Sequence, residues 1–104
     1  MNRLPLVVAV DHPAFAGHFP GRPIVPGVVL LDLAQCAIEA AAGVRVTGLA
    51  VAKFLSPVSP GEALELAFEV VDAGVRFQIQ SSKVGDERPV ANGRFAIEAA
   101  GAAS

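Results

Sequence analysis

The feature that most restricts the fold of this chain is a stiff loop that runs directly into an uninterrupted apolar segment. Six of the eleven positions from residue 17 to residue 27 are Gly or Pro, so the loop has few backbone conformations. From Gly27 to Ala42 the sequence GVVLLDLAQCAIEAAA has no Pro and no internal Gly, which predicts a helix about 24 Å long. Gly43 follows at the position where a left-handed residue commonly ends a helix. Since its first turn carries no charge, we expect the helix to enter the protein interior there.

Strand patterns account for most of the remaining sequence. Ala63–Val71 alternates apolar and charged side chains, and Asp72-Ala-Gly74 separates it from a second alternating segment, which predicts a β-hairpin. Three further strands are predicted at Leu4–Val10, at Val44–Phe54 with a bend or bulge at Gly48, and at Pro89–Ala99. One helix with four or five antiparallel strands predicts a single α+β domain over residues 1–104, with a sheet wrapped around the helix.

The composition indicates a protein that buries part of its surface against another subunit. Hydrophobic residues make up 53% of the 104 residues and the mean hydropathy is +0.53, both high for a monomer of this size. The net charge of −2 argues against a nucleic-acid partner, and no apolar run approaches the roughly 18 residues that cross a membrane. A single cysteine, Cys36, excludes an internal disulfide, so we expect a reducing compartment, the cytoplasm.

Two polar residues stand out in this apolar setting, His18 in the stiff loop and Asp32 in the helix. In one interpretation Asp32 belongs to a solvent-exposed stripe with Gln35, Cys36 and Glu39, and His18 bonds to backbone. In the other they form an acid–base pair beside the positive end of the helix, with the Gly27 N–H as an anion donor. The residue pattern by itself leaves both interpretations open.

The segment HFPGRPIVPGVVLLD resembles the signature of the hotdog-fold 3-hydroxyacyl-ACP dehydratases, the FabZ and FabA families. Their pattern is roughly H-F-x-G-x-P-x-x-P-G, followed by apolar residues and then Glu or Asp. The acid here is Asp, as in FabA, whereas the HFPG loop and the short length are similar to FabZ and to the ApeI-like dehydratases of aryl polyene clusters. Gln35 lies three residues after the acid instead of the usual four, where Cys36 stands. The positions that match the signature are His18, Gly21, Pro23, Pro26, Gly27 and Asp32.

This resemblance implies the hotdog fold, an antiparallel sheet wrapped around one long central helix. It also implies a homodimer, or a higher oligomer of dimers, whose sheets join edge to edge. Each active site would be shared, with His18 of one subunit facing Asp32 of the other. The implied substrate is a 3-hydroxyacyl thioester on acyl carrier protein or CoA, and neither nucleic acid nor membrane is expected as a partner.

The implied reaction is loss of water to give the trans-2-enoyl thioester, in fatty acid or aryl polyene-type biosynthesis. Neutral His18 would remove the C2 proton, and protonated Asp32 would donate to the leaving 3-hydroxyl. The Gly27 N–H would bind the thioester carbonyl as it gains charge. No metal and no cofactor is required. Residues expected to contact substrate are Phe19, Pro26, Gln35 and Phe54.

Two alternatives remain at this stage. A hotdog thioesterase would use Asp32 to attack the thioester or activate water, although thioesterases generally lack the histidine of the HFPG loop. A non-catalytic acyl-binding dimer would need neither His18 nor Asp32. Basic side chains that would attract an acidic carrier protein, if they are not simply solvated, are Arg22, Lys53 and Arg94.

Overall fold

A computed structural model describes residues 2–8, 24–82, 85 and 87–98. His18, Phe19 and Arg22 lie outside the described residues, so their predicted roles stay predictions. The described chain contains one helix and five strands. In order these are β1 (Asn2–Val7), α1 (Gly27–Ala42), β2 (Val46–Phe54), β3 (Ala63–Val71), β4 (Gly74–Ser81) and β5 (Arg88–Ile97).

The five strands form one antiparallel sheet in the order β1-β3-β4-β5-β2. The inward side chains of the three central strands and one side of α1 make a common core. Its largest fully buried members include Phe68, Phe77 and Phe95, and the last two rings stack with centroids 4.7 Å apart. The predicted α+β architecture, with one long helix against an antiparallel sheet, is therefore confirmed.

The helix has the predicted bounds, and its burial explains them. Leu30, Ala34 and Ile38 recur every four residues and are buried, so one side of α1 faces the sheet. Gly43 takes the left-handed conformation at φ 68° and donates its N–H to Glu39 O at 3.0 Å, which confirms it as the end of the helix. The Glu39 carboxylate in turn accepts from Val46 N–H at 2.9 Å, tying the helix end to the start of β2.

The strand predictions hold with shifted ends. β3 has the predicted bounds, and β1 begins two residues before the predicted Leu4. β2 begins at Val46 instead of Val44, and its pairing with β5 slips between Val46 and Gly48, which confirms an irregularity there. A second slip between Leu49 and Val51 was not predicted.

Strand β2 forms one edge of the sheet, and its apolar side chains are open to solvent. Leu49, Val51 and Phe54 expose 46%, 51% and 53% of their surface, and Val28 of α1 is also exposed. An edge strand carries unpaired N–H and C=O groups, so a long apolar edge is a surface that pairs readily with another strand. Many of the exposed large apolar side chains thus lie on the β2 edge and at the start of α1. The helix itself lacks the length and apolar character to span a membrane, within the described residues.

Candidate active site

The N-terminus of α1 presents two backbone donors. Pro26 precedes it in extended conformation, and its carbonyl accepts from the N–H groups of Val29 at 3.0 Å and Leu30 at 3.4 Å. The N–H groups of Gly27 and Val28 come before these and have no intrahelical acceptor, as in the first turn of any α-helix. The helix dipole places partial positive charge at the same end, so this turn favours a developing negative charge.

An apolar cavity of about 560 Å³ opens beside this helix end. One wall is the segment that enters and begins α1, and the other is the segment that follows β2. The two walls are joined where Val25 N–H donates to Val58 O at 2.8 Å. The lining residues are Ile24, Val25, Gly27, Val28, Leu30, Phe54, Leu55, Ser56, Pro57 and Val58.

Two residues predicted from the sequence, Gly27 and Phe54, meet in this cavity. A Cβ atom at Gly27 would lie 2.7 Å from Cζ of Phe54 and 2.8 Å from its Cε1, so the ring rests directly against the glycine backbone. Only a residue without a side chain allows this approach. The aromatic ring and the helix end therefore form one continuous surface of the cavity.

We expect Gly27→Ala to move the Phe54 ring while lowering the free energy of unfolding by about 1 kcal/mol or less, because the ring is half exposed and free to shift. In a Phe54→Ala background the same substitution should cost nothing further, since the clash is gone. Urea unfolding of the four proteins in this double-mutant cycle measures the coupling. Equal effects of Gly27→Ala in both backgrounds would contradict the contact.

Asp32 lies five residues beyond Gly27 and is exposed on the single chain. It shares an exposed line with Val28 and Cys36, one turn on either side, while Gln35 and Glu39 are half-buried. Among the described residues, no hydrogen bond or ion pair reaches the Asp32 carboxylate. Of the predicted exposed stripe, only Asp32 and Cys36 are exposed, and because His18 lies outside the described residues the acid–base interpretation stays a prediction.

The remaining predicted substrate contacts are placed differently. Pro26 is half-buried at the start of α1, next to the cavity, and fixes the direction in which the helix begins. Gln35 lies about two turns along the helix from Gly27 and does not line the cavity. The sequence analysis did not assign the wall formed by Ser56, Pro57 and Val58, since its prolines signalled only a loop.

Comparison with known proteins gives consistent matches over most of the chain. The model of the ApeI-like family, described as ApeI dehydratase, matches residues 2–94. The 3-hydroxyacyl-[acyl-carrier-protein] dehydratase FabZ of Anaeromyxobacter sp. (strain Fw109-5) is 38% identical over 85% of this chain and 65% of its own length. This chain spans only about half the length of FabZ relatives from Mannheimia succiniciproducens and Chlamydia trachomatis.

Solved structures match the fold. An uncharacterized protein from Erwinia carotovora subsp. atroseptica has a TM-score of 0.78 at 27% identity, covering 94% of this chain and 82% of that one. The dehydratase heterocomplex ApeI:P from Xenorhabdus doucetiae gives 0.74 at 22% identity, covering 91% and 84%. The hexameric thioesterase y2039 from Yersinia pestis gives 0.66 at 16% identity, covering 92% and 88%. These likenesses confirm the predicted hotdog fold.

Proposed function

This chain belongs to the ApeI-like dehydratase family, and from that premise we propose that it removes water from a 3-hydroxyacyl thioester to give the trans-2-enoyl thioester. The observation that carries the proposal is the start of α1 at Gly27, which lines an apolar cavity of about 560 Å³ on the helix that also carries Asp32. An apolar cavity suits an acyl chain, and a preorganised N–H at its mouth suits a carbonyl oxygen that gains charge.

The proposed reaction needs a base, an acid and an anion donor. In the first step neutral His18 takes the proton from C2, and the electron pair of that C–H bond gives an enolate with its charge on the thioester oxygen. In the second step this electron pair returns to form the C2–C3 double bond. The C3–O bond breaks as Asp32 gives its proton to the departing hydroxyl, which leaves as water. The Gly27 N–H donates to the thioester oxygen, which carries the negative charge between the two steps. No metal or redox cofactor takes part.

We also propose that a second copy of the chain completes the site. Burial favours the uncharged form of a carboxyl group, which is the form that donates a proton. On the single chain Asp32 is exposed, one turn beyond the exposed Val28 of the same helix. Pairing of two β2 strands would cover the apolar β2 edge and the adjoining face of α1, and would bring His18 of one copy toward Asp32 of its partner. Hotdog assemblies of more than one chain are among the structural neighbours.

The proposed carrier of the acyl group is acyl carrier protein, the carrier named for the FabZ relatives. The test is hydration of a trans-2-enoyl thioester, the reverse reaction, followed by loss of enoyl absorbance with carrier protein or CoA as the thiol. Turnover that produces the 3-hydroxyacyl thioester supports the proposal. Release of free thiol without hydration would identify a thioesterase, and tight binding with neither reaction would identify an acyl-binding module.

A further inference from the structure

Behind the second wall of the cavity lies an ion pair that the proposed reaction does not use. Glu62, just before β3, and Arg88, the first residue of β5, approach within 2.9 Å between Oε2 and Nη1. Their side chains are only 12% and 27% exposed, compared with 31% and 60% for the Glu65–Arg3 pair on the sheet surface. This pair is therefore shielded from water to a degree that surface ion pairs are not.

Both partners also hold the backbone of the wall. Arg88 Nη2 donates to Pro57 O at 2.6 Å. Glu62 Oε1 accepts from Ser59 N–H at 3.2 Å, and the Glu62 N–H donates back to Ser59 O at 3.1 Å. The pair thus holds the backbone of this segment by hydrogen bonds at Pro57 and at Ser59.

This segment is hydrogen-bonded to the residues that lead into α1. Val58 is buried, and its carbonyl accepts from Val25 N–H at 2.8 Å, two residues before Gly27. Movement of Pro57 and Val58 would therefore change the separation of the two walls of the cavity. Neither Glu62 nor Arg88 lines the cavity, so the pair acts on it through the wall.

We propose that Glu62 and Arg88 are positioning residues that set the separation of the two cavity walls, and so the binding of the acyl thioester. This inference rests on the proposed function of the cavity. A misplacement of the wall by a fraction of an ångström would weaken contacts with the whole acyl chain while leaving the reacting groups in place. The expected signature is a change in KM that exceeds the change in kcat.

The test compares Glu62→Gln with Glu65→Gln, which removes the carboxylate charge of the more exposed ion pair with Arg3 on the same sheet. We expect Glu62→Gln to raise KM for an enoyl thioester about tenfold with kcat lowered less than about threefold, because binding is lost without loss of the catalytic groups. Glu65→Gln should leave both constants unchanged. Arg88→Lys, which keeps the charge but lacks the forked guanidinium, should also raise KM and serves if Glu62→Gln does not fold.

Binding of S-decyl-CoA, a thioether that is neither hydrated nor hydrolysed, separates this inference from the proposed reaction. Calorimetry should show about tenfold weaker binding to Glu62→Gln than to the wild type and to Glu65→Gln. If Glu62→Gln binds S-decyl-CoA more weakly but the wild type has no hydratase activity, the positioning role would be supported and the proposed dehydration would be rejected. Equal binding by all three proteins, or no binding by the wild type, would overturn the positioning role.

The same pair predicts an acid-dependent loss of stability. Partial burial would raise the pKa of Glu62, but hydrogen bonds from Arg88, Ser59 N–H and Ser81, with the Arg88 charge, hold it below its ordinary value of 4.5. A lowered pKa stabilises the folded state above the unfolded pKa, and this stabilisation is lost as the pH falls through the folded pKa. The free energy of unfolding, measured with urea, should therefore be higher for the wild type than for Glu62→Gln by a constant amount above about pH 5. This difference should shrink below about pH 4. A difference independent of pH would contradict the charged pair.

Discussion

Asp32→Asn is expected to lower kcat/KM for enoyl thioester hydration by about a thousandfold, within the range that loss of a general acid or base produces. His18→Ala should cause a loss of similar size. Because Asp32 is exposed on the single chain and Asn has the same shape, the substitution should leave the melting temperature nearly unchanged. The measurement is the absorbance assay at saturating and limiting substrate, with circular dichroism to verify folding.

Cys36→Ser is the matched control, since Cys36 lies one turn further along the same exposed line of α1. We expect it to retain at least about half of the wild-type rate, because exchanging a thiol for a hydroxyl of similar size removes no reacting group. Asp32→Asn retaining a tenth or more of the activity would rule out Asp32 as the acid.

A mixture of the two inactive variants tests whether the site is shared. If His18 and Asp32 come from different subunits, a mixed dimer of His18→Ala and Asp32→Asn chains has one intact site and one that lacks both groups. Random reassociation makes half of the dimers mixed, so about a quarter of the wild-type activity should return. If both groups come from the same chain, no activity returns.

The second large effect concerns the β2 edge. Introducing Leu49→Lys and Val51→Lys together should convert the proposed dimer to a monomer of 10.6 kDa and abolish turnover, because charges on a strand edge oppose pairing with a second strand. Sedimentation velocity gives the mass, and the hydration assay gives the activity. Val7→Lys provides the control, since Val7 is an exposed valine on β1, the other edge strand. A doubly substituted protein that stays dimeric would place the interface elsewhere.

The sequence predicted the elements that depend on local pattern. The bounds of α1 and β3 and the role of Gly43 follow from uninterrupted helical spacing, strict alternation and the preference of glycine for left-handed backbone. Gly27 and Phe54 were also predicted to belong to the site, and the structure brings them into contact.

What the sequence did not predict depends on contacts between distant segments. β2 and β3 are consecutive in the sequence but are not paired, and nothing in the sequence indicates that β2 pairs with β5 at the edge of the sheet. Glu62 and Arg88 are 26 positions apart, and Arg88 contacts the cavity wall through the Pro57 carbonyl, a backbone group that carries no sequence signal. The pattern of the helix shows only which side of α1 is apolar and not what would face Asp32, so neither interpretation of that residue was decided by pattern.

If pairing of two β2 edges completes the active site, as proposed, the rate of each chain depends on how many chains are present. At concentrations well below the dissociation constant of the β2 pairing, halving the concentration should quarter the total rate, because active dimers form by mass action. Specific activity would therefore decline on dilution, and substrate that bridges both subunits would restore it. The total reaction rate of such a protein would therefore rise more steeply than its concentration.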